Sequence, residues 1–330
     1  MRLEAAGAGL GPSEIAALVL PNGPDLITAF LAVAGIGAGA PLDPSFTEDE
    51  FHYYLNRLGA RIVIVPDGVI SPAVAAAGAL RIPVLRIRSP GTFIGNSPDN
   101  MEAAQSFRTT DAALLLFTSA TTGAPKLVPL TWANLRAMAT REIGALELSG
   151  TDRFLSLMPL FHLPGLAAVL AQLFCGGAVI STPEFNPATF LDWLDRLEPT
   201  WFSSSPPLNR AILALARQHP EVFRRGSLRL IRTTGAAPQP EVLTALEEPV
   251  GVPVLTGYGL TETGGVTRET TDARKPGSVG RSSGLEVAII DPLGNLIADG
   301  REGEIVVRGA WVTSGYVDDP EANQSAFRNG

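Results

Sequence analysis

The sequence predicts an α/β protein with two αβα subdomains, mainly parallel sheets, and a small antiparallel, β-barrel-like subdomain at the end. Up to about Arg268, short apolar runs rich in β-branched residues alternate with helical segments, which is typical of parallel βαβ units. Beyond Arg268, turns and not helices separate the strand-like runs. The chain has 330 residues, 45% of them hydrophobic, which suffices for several packed subdomains.

The first subdomain is predicted to span residues 1–150. Thr47 followed by Glu50 forms a capping-box pattern at the start of a helix. The polar stretch at residues 89–108 contains Gly and Pro and is predicted to be a connecting loop. The predicted strands are Glu14–Leu20, Arg61–Val65, Val84–Ile87 and Ala112–Phe117, and the predicted helices are Pro24–Ala38, Thr47 to about Gly59, Pro72–Ala79 and Thr131 to about Gly144.

A second βα series predicts the second subdomain at residues 151–270. Its predicted strands are Phe154–Met158, Ala178–Ser181, Thr200–Ser203, Leu228–Arg232 and Pro253–Thr256, and its predicted helices are Gly165–Leu173, Pro187–Leu197, Pro207–Gln218 and Gln239–Glu248. The third subdomain, residues 271–330, is predicted from the strand-like runs Gly284–Asp291, Leu296–Ala298 and Gly303–Arg308.

Composition excludes several classes of function. The net charge of −8 argues against an extended nucleic-acid surface. The single cysteine, Cys175, cannot form an internal disulfide, and with three scattered histidines it cannot build a metal cluster. The apolar run Ile27–Ala40 is broken by glycines and too short to span a bilayer, and the N-terminus has no signal-peptide pattern. We therefore expect a cytoplasmic protein without a membrane span.

A loop rich in hydroxyl groups follows the predicted strand Ala112–Phe117. Hydroxyl and backbone N–H groups are donors for an oxyanion, and a lysine balances its charge. A Ser/Thr-rich surface turn is the alternative. A Walker loop is excluded, because only two residues separate the glycine from the lysine and a leucine follows. The candidate phosphate-binding residues are Thr118, Ser119, Thr121, Thr122, Gly123 and Lys126.

Three blocks carry a resemblance to a known family. FTSATTGAPK resembles the phosphate loop of the adenylate-forming (ANL) superfamily, which includes acyl-CoA synthetases, luciferases and adenylation domains. GYGLTE at Gly257–Glu262 resembles its adenine- and metal-binding motif. GEIVVRG at Gly303–Gly309, followed by SGY, resembles later blocks. The resemblance implies the fold of the large N-terminal ANL domain. In the middle third of the chain, the residues and their spacing resemble most the oxalate–CoA ligase branch of the family.

The resemblance implies roles for individual residues in binding ATP and Mg²⁺. Each of these residues also has a purely structural alternative. Tyr258 could be a core tyrosine, Thr261–Glu262 could be the start of a helix, and the Gly235 segment could be a simple strand–helix turn. In the family, the glutamate holds Mg²⁺ and the threonine contacts the α-phosphate, so these roles pass to Glu262 and Thr261. The remaining nucleotide contacts implied are Gly235, Ala236, Ala237, Gly257, Tyr258 and Gly259, besides the phosphate loop.

The acyl pocket is also predicted from the resemblance. The family places a histidine at its mouth, which corresponds to His162, whereas amino-acid-activating domains have an aspartate there; a lone His is otherwise usually a satisfied, partly buried residue. The implied catalytic residues are Thr261, Glu262, His162 and Lys126. The implied pocket residues are His162, Leu163, Ser204, Ser205, Gly235, Gly259, Leu260, Gly264 and Gly265.

The implied activity is that of an acid–thiol ligase. It would use ATP and Mg²⁺ to convert a small carboxylic acid to an acyl-adenylate and then form a thioester with coenzyme A. An acyl-AMP ligase loading an acyl carrier protein, a non-catalytic nucleotide-binding module and a luciferase-like monooxygenase are the alternatives.

The sequence departs from the family pattern in two ways. Ala120 and Leu127 replace glycines of the phosphate loop. Further blocks, including a ribose-binding aspartate and a catalytic lysine, would follow residue 330 in the family. We therefore expect a large N-terminal domain of a longer enzyme, with low activity by itself.

Overall fold

The computed structural model describes residues 10–88, 92–94, 112–118, 124–237, 239–297 and 300–328. Contacts divide the chain into two units. The first comprises residues 1–132, 159–162 and 313–328, and the second comprises residues 133–158, 163–312 and 329–330. The three-part division stays a prediction.

The predicted alternation of strands and helices is observed through most of the chain. The strands are β1 (Ile15–Leu18), β2 (Ala38–Pro41), β3 (Ile62–Pro66), β4 (Val84–Arg88), β5 (Thr92–Ile94), β6 (Ala112–Phe117), β7 (Leu127–Thr131), β8 (Arg153–Ser156), β9 (Ala178–Ser181), β10 (Trp201–Ser204), β11 (Leu230–Thr233), β12 (Val254–Thr256), β13 (Gly259–Leu260), β14 (Gly264–Gly265), β15 (Thr267–Arg268), β16 (Arg281–Ser282), β17 (Glu286–Ile290) and β18 (Glu304–Arg308). The helices are α1 (Pro24–Val33), α2 (Glu48–Leu58), α3 (Pro72–Ala79), α4 (Trp132–Leu146), α5 (Leu163–Phe174), α6 (Pro187–Leu197), α7 (Pro206–Gln218), α8 (Pro220–Arg225), α9 (Pro240–Val250) and α10 (Pro320–Ala326).

The first unit is built on a seven-stranded sheet with the order β5-β4-β3-β1-β2-β6-β7. Its five inner strands are parallel, and the two edge strands, β5 and β7, are antiparallel to their neighbours. Helix α2 begins with the predicted capping box: Glu50 N–H donates to Thr47 Oγ1, and Thr47 N–H donates to Glu50 Oε2 at 2.8 Å. It ends at Gly59, whose backbone is left-handed.

The first helix is shorter than predicted. It ends at Val33 and not at Ala38, and the small residues Ala38–Pro41, for which no strand was predicted, form strand β2 between β1 and β6. This strand has no β-branched residue to reveal it. Small residues are needed there, because a Cβ at Gly39 would lie 2.9 Å from Cδ2 of Phe30.

Strand β7 was also missed, because helix α4 was expected to follow the phosphate loop directly from Thr131. Strand β7 contains Pro129, and it is an edge strand, where proline is tolerated. Strands β6 and β7 therefore form an antiparallel hairpin around the loop. Of the predicted connecting loop at residues 89–108, only β5 lies within the described residues.

The second unit is built on a five-stranded, all-parallel sheet with the order β12-β11-β10-β8-β9. One face of this sheet, including Phe202 and Ile231, packs into an apolar core with the helices α6 to α9. Arg232 follows Ile231 along β11 and so lies on the opposite face. The short helix α8 was not predicted from the sequence.

After β12 the described residues form two-stranded antiparallel ribbons, β13–β14, β15–β16 and β17–β18. The strands β17 and β18 lie in two of the runs predicted beyond Arg268, whereas β13 to β16 were not predicted from the sequence. In the second of the three predicted runs, Leu296–Ala298, Leu296 forms an isolated bridge to Ile290, and Ala298 lies outside the described residues. The barrel-like closure stays a prediction. No described helix combines the length and apolar character that crossing a membrane requires.

Candidate active site

The phosphate-loop hairpin of the first unit is closed by two hydrogen bonds. The backbone N–H of Thr118 donates to the carbonyl of Lys126 at 2.9 Å, and the Lys126 N–H donates to Thr118 Oγ1 at 3.1 Å. Thr118 therefore fixes the backbone of the loop lysine. The other predicted loop residues, Ser119, Thr121, Thr122 and Gly123, lie outside the described residues, as does Ala120.

The Lys126 side chain lies against an aromatic ring. Its Nζ is 4.9 Å from the centroid of the Tyr316 ring, a cation–π contact. The segment carrying Tyr316 is attached to β7: Val317 N–H donates to the Leu127 carbonyl at 2.9 Å, and Thr313 Oγ1 donates to the Pro129 carbonyl at 2.6 Å. The sequence did not predict that the SGY block contacts the loop lysine.

Leu127 is a core residue and not part of the loop. It is 1% exposed, faces Phe117 across the β6–β7 pair and belongs to the apolar core of the first unit. The leucine at this position therefore packs into the protein interior.

His162 lies in the first unit at the end of a turn. Asn22 holds this turn through Oδ1, which accepts from the Leu160 N–H at 2.9 Å. The residue retains an exposed surface, and its ring contacts Phe161 edge-on. Desolvation by the surrounding protein lowers the pKa of His162, while the Asp43 carboxylate acts in the opposite direction. The lowered pKa favours the neutral imidazole at pH 7, and a neutral imidazole can accept a hydrogen bond on one nitrogen.

In the second unit, the Gly235 turn lies at the carboxyl end of β11. Gly235 has φ +94°, and a Cβ there would have nothing within 4 Å. Gly235, Ala236 and Ala237 are all exposed. This bare backbone has the space that a flat purine ring requires, so it fits the predicted adenine contact.

The GYGLTE block forms a tight hairpin and not a helix start. Strand β13 pairs with β14, and Thr261 and Glu262 lie in the turn between them, both partly exposed. A Cβ at Gly259 would overlap the carbonyl of Gly264, so glycine is required there. Tyr258 precedes the hairpin and is half-buried, with its carbonyl accepting from the Val266 N–H at 2.8 Å.

Glu262 fits a metal ion that arrives with a nucleotide. Among the described residues, no group of three or more His, Cys, Asp or Glu side chains could hold a metal ion. Magnesium commonly takes one or two protein carboxylates and completes its octahedron with phosphate oxygens and waters. A single carboxylate in a partly exposed turn is consistent with that chemistry.

The predicted pocket residues of the second unit differ in accessibility. Ser204 is fully buried, and its hydroxyl donates to Asn209 Oδ1 at 2.5 Å. Leu163 is buried at the start of α5, while Leu260 is 48% exposed. Ser205 precedes α7, and Gly264 lies against Met138. Their assignment to one acyl pocket stays a prediction.

A buried arginine cluster lies against the β13–β14 hairpin. It is formed by Arg141, Arg232 and Arg268 around Glu142. Ion pairs join Glu142 to Arg141 at 2.8 Å, to Arg232 at 3.0 Å and to Arg268 at 3.2 Å. All four side chains are at most 6% exposed. The members come from α4, β11 and β15, so no local sequence pattern indicated that they would meet.

Comparison with known proteins decides the family. The model of the AMP-binding enzyme family matches residues 2–317. The chain belongs to the AMP-binding enzyme family. The resemblance inferred from the three sequence blocks is thereby confirmed.

Relatives of this AMP-binding chain include several named CoA ligases. It is 33% identical over 344 residues to oxalate–CoA ligase of Arabidopsis thaliana, covering 98% of this chain and 66% of the relative. It is 34% identical over 340 residues to a probable CoA ligase, CCL9, of Humulus lupulus, covering 98% and 65%. Sulfoacetate–CoA ligase of Cupriavidus necator is 32% identical over 333 residues, covering 98% and 64%. The chain thus spans slightly less than two thirds of these relatives.

Solved structures show the same fold. ATP-bound MatB from Rhodopseudomonas palustris superposes with a TM-score of 0.87 at 26% identity, covering 99% of this chain and 66% of that one. O-succinylbenzoate coenzyme A synthetase from Bacillus subtilis, in complex with AMP, gives a TM-score of 0.81 at 25% identity, covering 100% and 83%. The predicted fold class, an ANL-type α/β domain with mainly parallel sheets, is confirmed.

Proposed function

We propose that the protein takes part in ATP-dependent activation of a carboxylic acid to an acyl-adenylate, followed by thioester formation with coenzyme A. The observation that carries this proposal is the β13–β14 hairpin, which has Thr261 and Glu262 in a partly exposed turn after the last strand of the second unit's sheet. The CoA ligases among the relatives support the same reaction class.

Each candidate site residue that the structure describes has a chemically suitable role in this proposal. The Lys126 ammonium balances phosphate charge, with Thr118 fixing its backbone. The bare turn at Gly235 accommodates the base, and the Thr261 hydroxyl donates to the α-phosphate. Glu262 supplies an oxygen ligand to Mg²⁺, which when bound neutralises charge that develops on the phosphates. Neutral His162 accepts a hydrogen bond near the acyl group.

The proposed substrate is a small carboxylic acid. Two relatives are named for oxalate and for sulfoacetate, which are both short acids with a second anionic group. Coenzyme A is the proposed acceptor, because the named relatives are CoA ligases. We place the reaction in the cytoplasm, where the one cysteine, Cys175, needs no disulfide partner.

Carboxylate-dependent ATP–pyrophosphate exchange tests the first half-reaction. With the purified protein, ATP, Mg²⁺ and a panel of small acids, Glu262→Gln should reduce exchange at least about tenfold, which is roughly 1.4 kcal/mol in the barrier. Glu184→Gln, which changes an exposed carboxylate elsewhere in the second unit, serves as the control. Unchanged exchange in Glu262→Gln would remove the metal assignment.

The second half-reaction and the rival activities need separate measurements. Mass spectrometry should detect an acyl-CoA when coenzyme A is added and no acyl-carrier product when a carrier protein is added instead. Calorimetric binding of ATP without exchange for any acid would show a nucleotide-binding module and contradict the proposed catalysis.

A further inference from the structure

The arginine cluster carries more positive charge than the protein around it neutralises. Three guanidinium groups surround one carboxylate, which leaves a net charge of +2 in a buried place. Glu269, a buried carboxylate that follows Arg268 in the chain, accepts from the backbone N–H groups of Thr256 and Lys275, and even with its charge counted an excess positive charge remains. Uncompensated buried charge is costly, so proteins normally pair it or use it.

The three arginines differ in how their donors are used. Arg141 donates to Ser283 Oγ, to Glu142 and to the Thr267 carbonyl, which makes it a structural anchor. Arg232 and Arg268 retain unused donors: within the described part of the chain, Nε of Arg232 and both Nε and Nη1 of Arg268 have no hydrogen-bond partner. Buried donors without a partner are rare in folded proteins, so each indicates a ligand or a water.

A third polar group without a partner lies beside them. Ser203 pairs with Arg232 in the register of β10 and β11, so both side chains lie on the same face of the sheet. Within the described residues, the Ser203 hydroxyl is buried and makes no hydrogen bond. The hydroxyl thus lies beside Arg232, whose guanidinium meets that of Arg268 at Glu142. One hydroxyl and two guanidinium groups are a donor set suited to an oxyanion.

The position of the cluster connects it to the predicted pocket wall. A Cβ at Gly257 would lie 2.8 Å from Nη1 of Arg268, and a Cβ at Gly265 would overlap the guanidinium of Arg141. Both arginine side chains therefore lie against the backbone on either side of the GYGLTE hairpin. An anionic group held there would lie next to this hairpin.

We propose that Arg232 and Arg268, with the Ser203 hydroxyl, form a subsite for one small oxyanion, the distal carboxylate or sulfonate of the acid being activated. The inference rests on the proposed function and narrows it to short acids with a second anionic group. Arg141 positions the subsite through the hairpin and Glu142, and two guanidinium groups on one oxyanion discriminate against acids with an uncharged end.

Matched acids test this subsite. With the wild-type protein, kcat/KM for adenylation should be at least about tenfold higher for malonate and sulfoacetate than for butyrate. Arg268→Gln should lower kcat/KM for malonate at least about tenfold while changing that for butyrate less than about threefold. Arg268→Lys, which keeps the charge but not the forked donors, should recover part of the loss. Arg225→Gln, a change to an exposed arginine paired with Asp195, is the control.

Other results of these experiments decide whether the subsite, the proposed function or both are wrong, and calorimetry of anion binding separates the two proposals. A wild-type preference for butyrate would overturn the subsite and leave the proposed function intact. If no acid is activated, calorimetry with malonate and with sulfate separates the two proposals: saturable binding that Arg268→Gln abolishes supports the subsite, and no saturable binding overturns it. Sulfate binding without malonate binding would assign the site to a free inorganic anion and overturn the substrate role. If Arg268→Gln does not fold, Arg268→Lys replaces it, with an expected loss of at least about threefold for malonate and none for butyrate.

Discussion

Glu142 shows at the residue scale how burial and charge oppose each other. Burial by itself would raise the pKa of this carboxyl, but attraction from Arg232, Arg268 and Arg141 outweighs burial and lowers the pKa to about 2. Desolvation in turn lowers the pKa of Arg141 and of Arg232 to about 10, so both remain charged at neutral pH. The carboxylate is therefore the counter-ion on which the cluster depends.

This arrangement predicts acid sensitivity. The folded pKa of Glu142 lies below its unfolded value of about 4.3, so its stabilising contribution is fully present above that value and is lost as the pH falls toward about 2. Urea unfolding measured from pH 6 to pH 2.5 should show the free energy of unfolding falling through this window.

The matched variant is Glu142→Gln. Removing the carboxylate leaves three buried guanidinium groups without their counter-ion, so we expect a loss of about 3–5 kcal/mol at pH 7. The same variant should have a flatter pH dependence than the wild type below pH 4.5. An unaltered pH profile would show that other carboxylates cause the acid sensitivity.

Tyr316 and Lys126 give a second prediction at this scale. Tyr316→Leu removes the ring beneath the ammonium group, and since a cation–π contact at a partly exposed site is worth about 0.5–1 kcal/mol, ATP affinity should fall about two- to fivefold. Tyr316→Phe retains the ring and should bind ATP as the wild type does. Calorimetric titration measures both, and equal affinities for all three proteins would show that the ring does not orient the lysine.

At the scale of the element, strand β2 depends on small residues. Gly39→Ala places a methyl group 2.9 Å from the buried ring of Phe30, so overpacking should cost about 1–3 kcal/mol. Gly78→Ala in α3 is the opposite case, because a Cβ there would have nothing within 4 Å. It should stabilise the protein by about 0.4–1 kcal/mol. Urea unfolding of both variants checks the pair, and a neutral Gly39→Ala would mean that Phe30 moves aside freely.

At the scale of the whole molecule, the proposed function predicts stabilisation by nucleotide. ATP with Mg²⁺ at 100 times its Kd should add about 2.7 kcal/mol to the free energy of unfolding, because the folded state alone binds it. Removing Mg²⁺ with a chelator should weaken the stabilisation by ATP, since in the proposed role Glu262 would hold the ion together with the phosphates, and should leave stabilisation by AMP nearly unchanged. Thermal unfolding scans measure all four conditions, and identical shifts with and without Mg²⁺ would contradict the role of Glu262.

The sequence by itself determined the features that are local. The capping box of Thr47 and Glu50, the proline-led helices α3 and α6 and the buried strand β6 were predicted with their bounds nearly correct, because each depends on residues adjacent in the chain. The family was determined from GYGLTE and the phosphate loop for the same reason, since each block is a continuous run of residues.

Only the tertiary structure decided the features that depend on distant partners. Strand β2 has no strand-forming residues and exists because β1 and β6 pair with it on both sides. Leu127, which replaces a glycine of the family pattern, packs into the apolar core at the position opposite Phe117. The arginine cluster joins residues 141, 232 and 268 from three separate elements. A charge has its effect through the groups around it in space, and the order of residues along the chain does not reveal those groups until the sheet has folded.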